Sequence, residues 1–223
     1  MAGNDLEAAV ERVYTRRFSD ADARAKRRVW REIARHLQRY VPPDARILDL
    51  ACDRGDFITN IHARERWATD IRNCTQDLPP DVRFVQANGL QLDDHLPPEY
   101  FDVTFVSNYL EHLPSRDAVI AQLLVIRRLL RSSGRVMILQ PNIRLTGPSY
   151  WDFIDHTVAL TDRSLLEAAE LAGFDQERMI RRFLPYTTKS RFPKDPRIVR
   201  AYLALRPIWF LFGKQTLFIG RRS

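Results

Sequence analysis

Cysteine and long apolar runs are scarce in this chain. Its 223 residues include two cysteines, Cys52 and Cys74, which are too few for a disulfide framework or a structural zinc cage. No apolar run approaches the roughly 18 residues that a membrane-spanning helix needs. The first 30 residues are rich in arginine and contain no apolar segment, so no export signal is predicted and a soluble, cytoplasmic protein is expected.

Glycine and proline are too few, at 8 and 13 residues, for a collagen-like or low-complexity chain. Hydrophobic residues make up 45% of the chain and charged residues 28%, which is typical of a globular protein and excludes general disorder. A chain of this length forms one ordinary domain or two small ones and buries roughly 70% of its surface on folding. A single domain spanning residues 1–223 is predicted.

Positive charge is concentrated at the C-terminal end. The formal net charge of the whole chain is +7. Residues 177–223 contain twelve basic side chains against Glu177 and Asp195, whereas the remaining residues sum to −3. This asymmetry indicates an anionic partner, which is a phosphate-bearing substrate, a lipid surface or nucleic acid. The alternative is that the arginines only decorate solvated faces.

Short β-rich runs alternate with helical stretches along most of the chain. An i, i+4, i+8 apolar repeat predicts a helix within residues 5–40 that ends at Val41-Pro42-Pro43. Strands are predicted at residues 46–50, 67–70, 82–85, 101–106, 136–139 and 216–219, and further helices at about 56–64, 117–131 (with Ser115 as N-cap) and 165–173. This order predicts an α/β fold with a mainly parallel sheet.

Small or polar residues follow four of the predicted strands. They are the turn of residues 49–55, then Asp70, then Asn88-Gly89, then Ser107-Asn108. Ligands of open parallel sheets bind at the carboxyl ends of the strands. A small-residue turn lets backbone amides approach a ligand, and an acidic side chain about 20 residues later can take both ribose hydroxyls. The set in this order predicts a ligand site at one edge of the sheet.

At these positions the sequence resembles the class I S-adenosylmethionine-dependent methyltransferases. The motifs that carry the resemblance are Ile47-Leu48-Asp49-Leu50-Ala51-Cys52 with Gly55, then Asp70, the Asn88 region, Ser107-Asn108-Tyr109-Leu110-Glu111-His112-Leu113, and residues 129–139. The resemblance covers roughly residues 40–183 and the final strand. It implies a Rossmann-like sheet of seven strands, mostly parallel with the last one antiparallel, and helices on both faces.

The resemblance implies S-adenosylmethionine as the cofactor. Its methionine part would lie on the turn, its ribose on Asp70, its adenine beside Ile71 and the Asn88 region, and its sulfonium above Ser107 and Asn108. The implied cofactor-binding residues are Asp49, Ala51, Cys52, Asp53, Gly55, Asp70, Ile71, Asn88, Gly89, Ser107 and Asn108. The substrate-binding candidates, with a lid from the N-terminal helix first, are Tyr14, Phe18, Tyr109, Asn142, Arg144, Tyr150 and Trp151.

Three further stretches narrow the resemblance to a bacterial subgroup associated with glycan, lipid or secondary-metabolite pathways. They are Gln140-Pro141-Asn142-Ile143-Arg144, Tyr150-Trp151-Asp152-Phe153-Ile154-Asp155-His156 and Gly213-Lys214-Gln215. The implied acceptor is a small molecule, a sugar or a lipid-linked molecule. Base methylation of nucleic acid in this family goes with an Asn/Asp-Pro-Pro-aromatic turn after the fourth strand. Residues 107–110 contain no proline, so no nucleic-acid partner is predicted.

The turn departs from the Gly-x-Gly-x-Gly pattern of the family, because Ala51 and Asp53 stand at its first two glycine positions. Asp tolerates positive φ, so the turn itself is expected to survive. The Asp53 carboxylate either pairs with the ammonium group of the cofactor or repels its carboxylate. The electrostatic energy of either interaction is about 4 kcal/mol before the cost of desolvation. Two functions therefore stay open. One is methyl transfer, and the other is a binding or regulatory protein, or a different reaction, on a methyltransferase fold.

Methyl transfer to a hydroxyl benefits from a general base, and the catalytic candidates are His156, Asp155 and His112. A histidine with an ordinary pKa of about 6.5 is suited to deprotonate an alcohol or a phenol, which favours His156. The alternative is that Asp155 and His156 are a structural pair that holds a loop. His112 is predicted to contact cofactor or substrate. The sequence contains no His-Glu-x-x-His or similar spacing, so no metal ligand is predicted.

The predicted layout has four parts. Residues 1–41 are a helical lid, 42–184 the cofactor-binding core, 185–213 a basic aromatic cap and 214–223 the final strand. The cap either covers the acceptor pocket and receives a phosphate or a lipid headgroup, or packs its aromatic side chains on the sheet as a helical insertion. The first alternative includes peripheral contact with an anionic membrane surface. The oligomeric state stays open.

Overall fold

A seven-stranded sheet forms the centre of the computed structural model, which describes residues 20–186 and 195–223. The strands are β1 (Arg46–Leu50), β2 (Glu65–Asp70), β3 (Val82–Gln86), β4 (Phe101–Ser107), β5 (Leu130–Pro141), β6 (Phe174–Leu184) and β7 (Gln215–Arg222). Their spatial order is β3-β2-β1-β4-β5-β7-β6. β7 runs antiparallel to β5 and β6, and the other paired strands are parallel. The predicted Rossmann-like sheet is confirmed.

Six α-helices in the described residues flank this sheet. They are α1 (Asp20–Leu37), α2 (Arg116–Leu129), α3 (Ile143–Thr146), α4 (Asp162–Leu171), α5 (Pro196–Ala204) and α6 (Arg206–Phe212). Helices α1, α5 and α6 pack on one face of the sheet, and α2 and α4 pack on the other. No helix in the described parts of the chain is both long enough and apolar enough to cross a membrane.

Both faces of the central strands are buried, and this explains their sequences. Successive residues of a strand point to opposite faces, so a strand covered on both sides must be apolar nearly throughout. On β1, Ile47 packs towards α1 while Leu48 and Leu50 pack towards α2, and none of the three is more than 1% exposed. Asp49 interrupts this run and is only 3% exposed. A buried carboxylate in such a strand needs a reason beyond packing.

Side-chain caps begin the two helices of the α2–α4 face. The hydroxyl of Ser115 accepts a hydrogen bond of 3.1 Å from the backbone N–H of Ala118, as an N-cap of α2. Thr161 and Ser164 form a reciprocal capping box at the start of α4. Each cap satisfies amide groups that the helix leaves without partners, and it contributes about 1 kcal/mol to the free energy of unfolding.

The helix predicted over residues 56–64 is wrong. Only a short 3-10 turn, Ile58–Asn60, follows the turn after β1. Ile58, Thr59 and Ile61 are β-branched and lose side-chain freedom in a helix. The side-chain amide of Asn60 also donates to the carbonyl of Asp56 at 2.8 Å, which competes with helical hydrogen bonding. The connection from β1 to β2 therefore lacks a regular helix.

Strand β6 was not located by the sequence pattern. It lies at the edge of the sheet, where most of its residues between Asp175 and Arg182 are at least partly exposed. Its charged residues give no clean apolar alternation, and only Phe174, Phe183 and Leu184 are buried. Edge strands commonly carry such charges because these discourage pairing with another chain.

The C-terminal helices pack aromatic side chains into the core. Tyr202 of α5 and Trp209 of α6 are 2% and 5% exposed. The Trp209 indole donates to the carbonyl of Tyr202 at 2.7 Å, and the Tyr202 hydroxyl donates to the carbonyl of Phe183 at 2.8 Å. Residues 195–213 of the predicted cap are therefore a helical insertion on the sheet. Residues 187–194 of the same segment lie outside the described residues.

Candidate functional site

Four strand ends meet at one edge of the sheet. Strands β3, β2, β1 and β4 are adjacent and parallel, so their carboxyl ends lie side by side. Leu50 of β1 pairs with Thr69 on one side and Val106 on the other, and Asp70 pairs with Gln86. The register therefore brings together the turn of residues 49–55, Asp70, Asn88-Gly89 and Ser107-Asn108. We call this group the carboxyl edge.

The turn after β1 keeps the positive φ values of a glycine turn although only the third of its three glycine positions holds a glycine. Ala51, Asp53 and Gly55 have φ values of 55°, 53° and 67°. The N–H of Cys52 donates to the carbonyl of Thr69 at 2.9 Å, and the N–H of Gly55 donates to the carbonyl of Cys52 at 2.8 Å. A Cβ on Gly55 would lie 2.1 Å from the side chain of Leu78. The expectation that the turn survives Asp53 is confirmed.

Two cations hold the Asp53 carboxylate. The Lys26 ammonium of α1 lies 2.8 Å from Oδ2, and the Arg72 guanidinium lies 2.8 Å from Oδ1. Burial by itself would raise the pKa of Asp53, but these two charges hold that pKa below its usual value. The side chain is therefore ionised at neutral pH, and its charge is already paired within the protein.

Protein donors also occupy the Asp70 carboxylate, which is 7% exposed. It accepts the backbone N–H of Asp53 at 3.0 Å, the backbone N–H of Arg72 at 2.9 Å and the Arg72 Nε at 3.3 Å. The two backbone donors fix its orientation. The Arg72 side chain is 49% exposed and bridges Asp70 and Asp53, so it lies where a sugar bound to Asp70 would approach.

Asp49 carries an unused acceptor at this edge. Burial, with the nearby carboxylates of Asp70, Asp56 and Asp53, raises the pKa of Asp49 well above its usual range. Its Oδ2 is buried and finds no hydrogen-bond partner among the described residues. Burial also raises the pKa of Asp56. A cationic group brought to this edge would satisfy the orphan oxygen and favour ionisation of these acids.

The end of β3 is anchored to α2. The Asn88 side chain accepts the N–H of Leu90 at 3.0 Å and so begins a 3-10 turn. The Gln122 amide donates to the carbonyl of Gly89 at 2.9 Å, and the Tyr109 hydroxyl donates to Gln122 at 3.0 Å. Tyr109, a substrate-binding candidate, thus uses its hydroxyl to hold this loop.

The end of β4 and the residue after Asp70 complete the edge. Asn108 has a φ of 49°, its backbone N–H donates to Leu139 at 2.9 Å, and its amide donates to the Ser107 hydroxyl at 2.8 Å. Ile71 is 68% exposed and offers an apolar surface beside Asp70. Cys52 and Cys74 are buried with their sulfur atoms 3.4 Å apart, beneath the turn.

The catalytic candidates cluster after β4 and before α4. His112 Nδ1 lies 3.0 Å from the carbonyl of Asp155 and 3.5 Å from its carboxylate, and His156 Nδ1 lies 2.7 Å from the carbonyl of Tyr150. The two imidazole rings are 5.0 Å apart. A carbonyl only accepts, so each Nδ1 carries the hydrogen in the neutral ring and each Nε2 holds the lone pair.

Glu111, which is not among the catalytic candidates predicted from the sequence, also belongs to this cluster. Glu111 is 2% exposed, and its Oε2 has no hydrogen-bond partner within the described residues. Burial raises its pKa to about 7. One potential ligand atom each of Glu111, His112 and His156 lies within 4.8 Å of the others. A divalent ion with bonds of about 2.1 Å needs neighbouring ligand atoms about 3.4 Å apart, so these side chains would have to move inward to hold one.

The remaining substrate-binding candidates differ in burial and in whether their polar atoms already have partners in the protein. Asn142 is fully buried, donating to Asp162 at 2.9 Å and to Thr216 at 3.1 Å, and Tyr150 is fully buried with its hydroxyl on the carbonyl of Val158. Both therefore have structural partners for their polar atoms. Arg144 is exposed and Trp151 is 54% exposed. Tyr14 and Phe18 lie outside the described residues.

Comparisons with known proteins agree with this geometry. The sequence model of a methyltransferase domain family matches residues 22–178. Among solved structures, an S-adenosylmethionine-dependent methyltransferase from Archaeoglobus fulgidus is 18% identical with a TM-score of 0.62, covering 85% of this chain and 93% of its own. One from Mesorhizobium loti is 18% identical with a TM-score of 0.62, covering 83% and 95%. The [4+2]-cyclase SpnF is 15% identical with a TM-score of 0.56, covering 81% and 75%.

No curated protein sequence matches the chain. The structural likenesses, at such low identity, show the fold alone. The family model, in contrast, matches more than half of the chain and includes all four strand ends of the carboxyl edge. This chain therefore belongs to the methyltransferase-domain family, whose methyl donor is S-adenosylmethionine.

Proposed function

We propose that this protein methylates a hydroxyl group of a small-molecule, sugar or lipid-linked acceptor. The carboxyl edge carries the proposal, because four strand ends converge there with an orphan carboxylate oxygen on Asp49. S-adenosylmethionine, when bound, supplies a methyl group on a positively charged sulfur. An edge with buried acids and an unsatisfied acceptor suits such a cation.

The residues present fit this cofactor with one rearrangement. The turn brings backbone close to a ligand, Asp70 is oriented by backbone donors towards a ribose diol, and Ile71 offers an apolar surface to an adenine. Asp49 would attract an ammonium group through its orphan oxygen, whereas Asp53 would do so only by sharing a charge that Lys26 and Arg72 already pair. The Arg72 side chain must leave Asp70 before a sugar can take its place, and its 49% exposure lets it swing into solvent.

The histidine cluster would then handle the proton of the acceptor. His156 Nε2 holds a lone pair because Nδ1 faces the carbonyl of Tyr150 at 2.7 Å, and this supports a role as general base. His112 is oriented in the same way by Asp155. Burial raises the pKa of Glu111 to about 7. One of its potential ligand atoms lies within 4.8 Å of one on each ring, so a negative charge on Glu111 would favour protonation of the imidazoles.

Calorimetry tests the cofactor assignment. S-adenosylmethionine and its demethylated product should bind the wild type, and Asp70→Ala should weaken both by tenfold or more because two ribose hydrogen bonds are lost. Asp94→Ala is the matched control, because Asp94 is exposed and lies away from the edge. Undiminished binding in Asp70→Ala would refute the ribose assignment.

Kinetics test the base. His156→Ala should lower turnover far more than cofactor affinity, since the ring acts on the acceptor. A structural loop role would instead lower both together with thermal stability. His62→Ala serves as the control for loss of a histidine at a site remote from the edge.

A second function is favoured by one observation. The ion pairs of Asp53 with Lys26 and Arg72 close the carboxyl edge, as expected of a protein that has lost methyl transfer and acts as a binding or regulatory protein. The SpnF cyclase shares the fold, so a different reaction is a further form of this alternative.

Asp53→Gly in the Arg72→Ala background separates the two functions, since no arginine then competes for Asp70. If Asp53 attracts the ammonium group, as in an adapted enzyme, the double variant binds the cofactor at least threefold more weakly than Arg72→Ala. Tighter binding in the double variant would favour the alternative.

A further inference from the structure

Helix α6 exposes a patch of large apolar side chains. Phe210, Leu211 and Phe212 are 72%, 70% and 50% exposed, and Leu205, just before the helix, is 52% exposed. The opposite side of the helix is buried through Trp209. Contiguous apolar exposure of this kind marks an interaction surface in a folded protein.

A cationic cavity of about 440 Å³ adjoins this helix. Four arginines line it, from the end of α1 and from α5 and α6: Arg35, Arg39, Arg200 and Arg206. Its one carboxylate, Glu32, is bonded by Arg35 at 2.6 Å and by Arg200 at 2.9 Å. Arg39 donates to the carbonyl of His36 at 2.8 Å. Neither Arg39 nor Arg206 has a carboxylate partner among the described residues, so no acidic side chain there balances these two charges in the cavity lining.

The cavity and the apolar patch form one continuous surface. Arg206 lines the cavity and lies four residues before Phe210, so both side chains stand on the same side of α6. On the other flank, the Arg182 guanidinium lies 5.1 Å from the centre of the Phe210 ring. No aspartate or glutamate occurs from residue 196 to residue 223. The apolar centre thus has Arg206 on one flank and Arg182 on the other.

We propose that this docking face, formed by Leu205, α6, Arg39 and Arg182, binds the surface of an anionic lipid bilayer. The apolar side chains of α6 would enter the boundary between headgroups and acyl chains, while the arginines pair with headgroup phosphates. An apolar helix flanked by arginines has the surface that binds to the headgroup region of an anionic bilayer.

Two other occupants fit less well. A second copy docked through the same face would bring arginines against arginines, because a two-fold interface opposes identical patches. Single-stranded nucleic acid binds through rings that stack on bases, and although Phe210 and Phe212 offer such rings, Leu205 and Leu211 make half of the patch aliphatic, which suits acyl chains better. The docking face is also distinct from the carboxyl edge. Arg39 lies thirteen residues after Lys26, about 20 Å along the α1 axis, so membrane binding does not depend on the proposed methyl transfer.

Vesicle sedimentation of the full chain tests the proposal. Phosphatidylcholine vesicles with 30% phosphatidylglycerol should bind the protein at least tenfold more tightly than phosphatidylcholine alone, and 500 mM salt should weaken this binding by tenfold or more. Two double variants should each bind the anionic vesicles about tenfold more weakly than the wild type. One is Phe210→Ser/Leu211→Ser, and the other is Arg39→Gln/Arg206→Gln. The matched controls are Leu171→Ser and Arg116→Gln/Arg163→Gln, which alter exposed residues on the opposite face of the sheet.

A second measurement does not depend on loss of binding. The fluorescence of the tryptophan introduced by Phe210→Trp should be quenched by vesicles that contain brominated lipid, whereas that of the tryptophan introduced by Leu171→Trp should not. Equal affinity for neutral and anionic vesicles, or no binding, would overturn the proposal. A wild-type dimer that Phe210→Ser/Leu211→Ser dissociates would assign the face to a second copy instead. Binding of single-stranded RNA that only the arginine variant loses would assign it to nucleic acid.

Discussion

Replacing Arg72 with alanine should strengthen cofactor binding. The guanidinium donates to Asp53 at 2.8 Å and to Asp70 at 3.3 Å, and a sugar can take Asp70 only after the second contact is broken. The backbone donors of Asp53 and Arg72 remain in the variant, so the Asp70 carboxylate keeps its orientation. The substitution removes the competitor and leaves the rest of the site in place.

The size of the effect follows from exposure. Arg72 is 49% exposed, whereas its partners Asp53 and Asp70 are 40% and 7% exposed. Because the guanidinium itself is half in solvent, each contact is screened and is worth roughly 0–1 kcal/mol. Breaking two such contacts costs up to about 2 kcal/mol, which corresponds to a Kd that is lower by up to about 30-fold in the variant. Thermal stability should fall by no more than the same amount, because the two contacts are lost from the folded protein.

Calorimetry with the demethylated cofactor product measures this directly, since that ligand undergoes no turnover. Arg83→Ala is the matched control, because Arg83 is 60% exposed and pairs with Glu65 at 3.4 Å, away from the turn. Unchanged or weaker binding by Arg72→Ala would refute the reasoning. Weaker binding would show that the guanidinium contacts the cofactor itself.

Three further predictions concern the cluster and the caps. The pKa of Glu111 is raised to about 7 in the folded protein, above its unfolded value, so this residue stabilises the fold at low pH and the contribution is lost as pH rises. The free energy of unfolding of the wild type should therefore fall between pH 4.5 and 7.5, and Glu111→Gln should remove up to about 3 kcal/mol of that fall. Dialysis against EDTA should leave methyl transfer unchanged, and restoration of activity by one added divalent ion would contradict this. Ser115→Ala should cost about 1 kcal/mol in chemical denaturation, against no change for Ser132→Ala.

Much of the carboxyl edge was predictable because it depends on local sequence and strand order. The turn shows this best. Asp53 occupies a glycine position, and aspartate tolerates positive φ, so the observed φ of 53° agrees with the expectation. Ala51 has no such tolerance and yet has a φ of 55°, so its conformation was not predictable from the residue alone. The buried strands were equally predictable, since two-sided burial imposes a nearly continuous apolar run such as Ile47 to Leu50.

What could not be predicted depends on contacts between distant parts of the chain. The pairing of Lys26 with Asp53 joins residues 27 positions apart, and the approach of Glu111 to His156 joins residues on different loops. Asn142 resembled a ligand-binding residue, yet its partners Asp162 and Thr216 come from α4 and β7. The periodicity of apolar residues carries no information about such long-range contacts, because they form only when the sheet assembles.

The position of β7 makes the sheet sensitive to truncation. β7 lies inside the sheet, between β5 and β6. Without residues 215–222, β5 presents an open row of backbone donors and acceptors, and β6 has no neighbour among the described strands to hold it. A variant shortened before residue 215 should therefore expose two strand edges and aggregate, even though the carboxyl edge lies on strands that do not pair with β7.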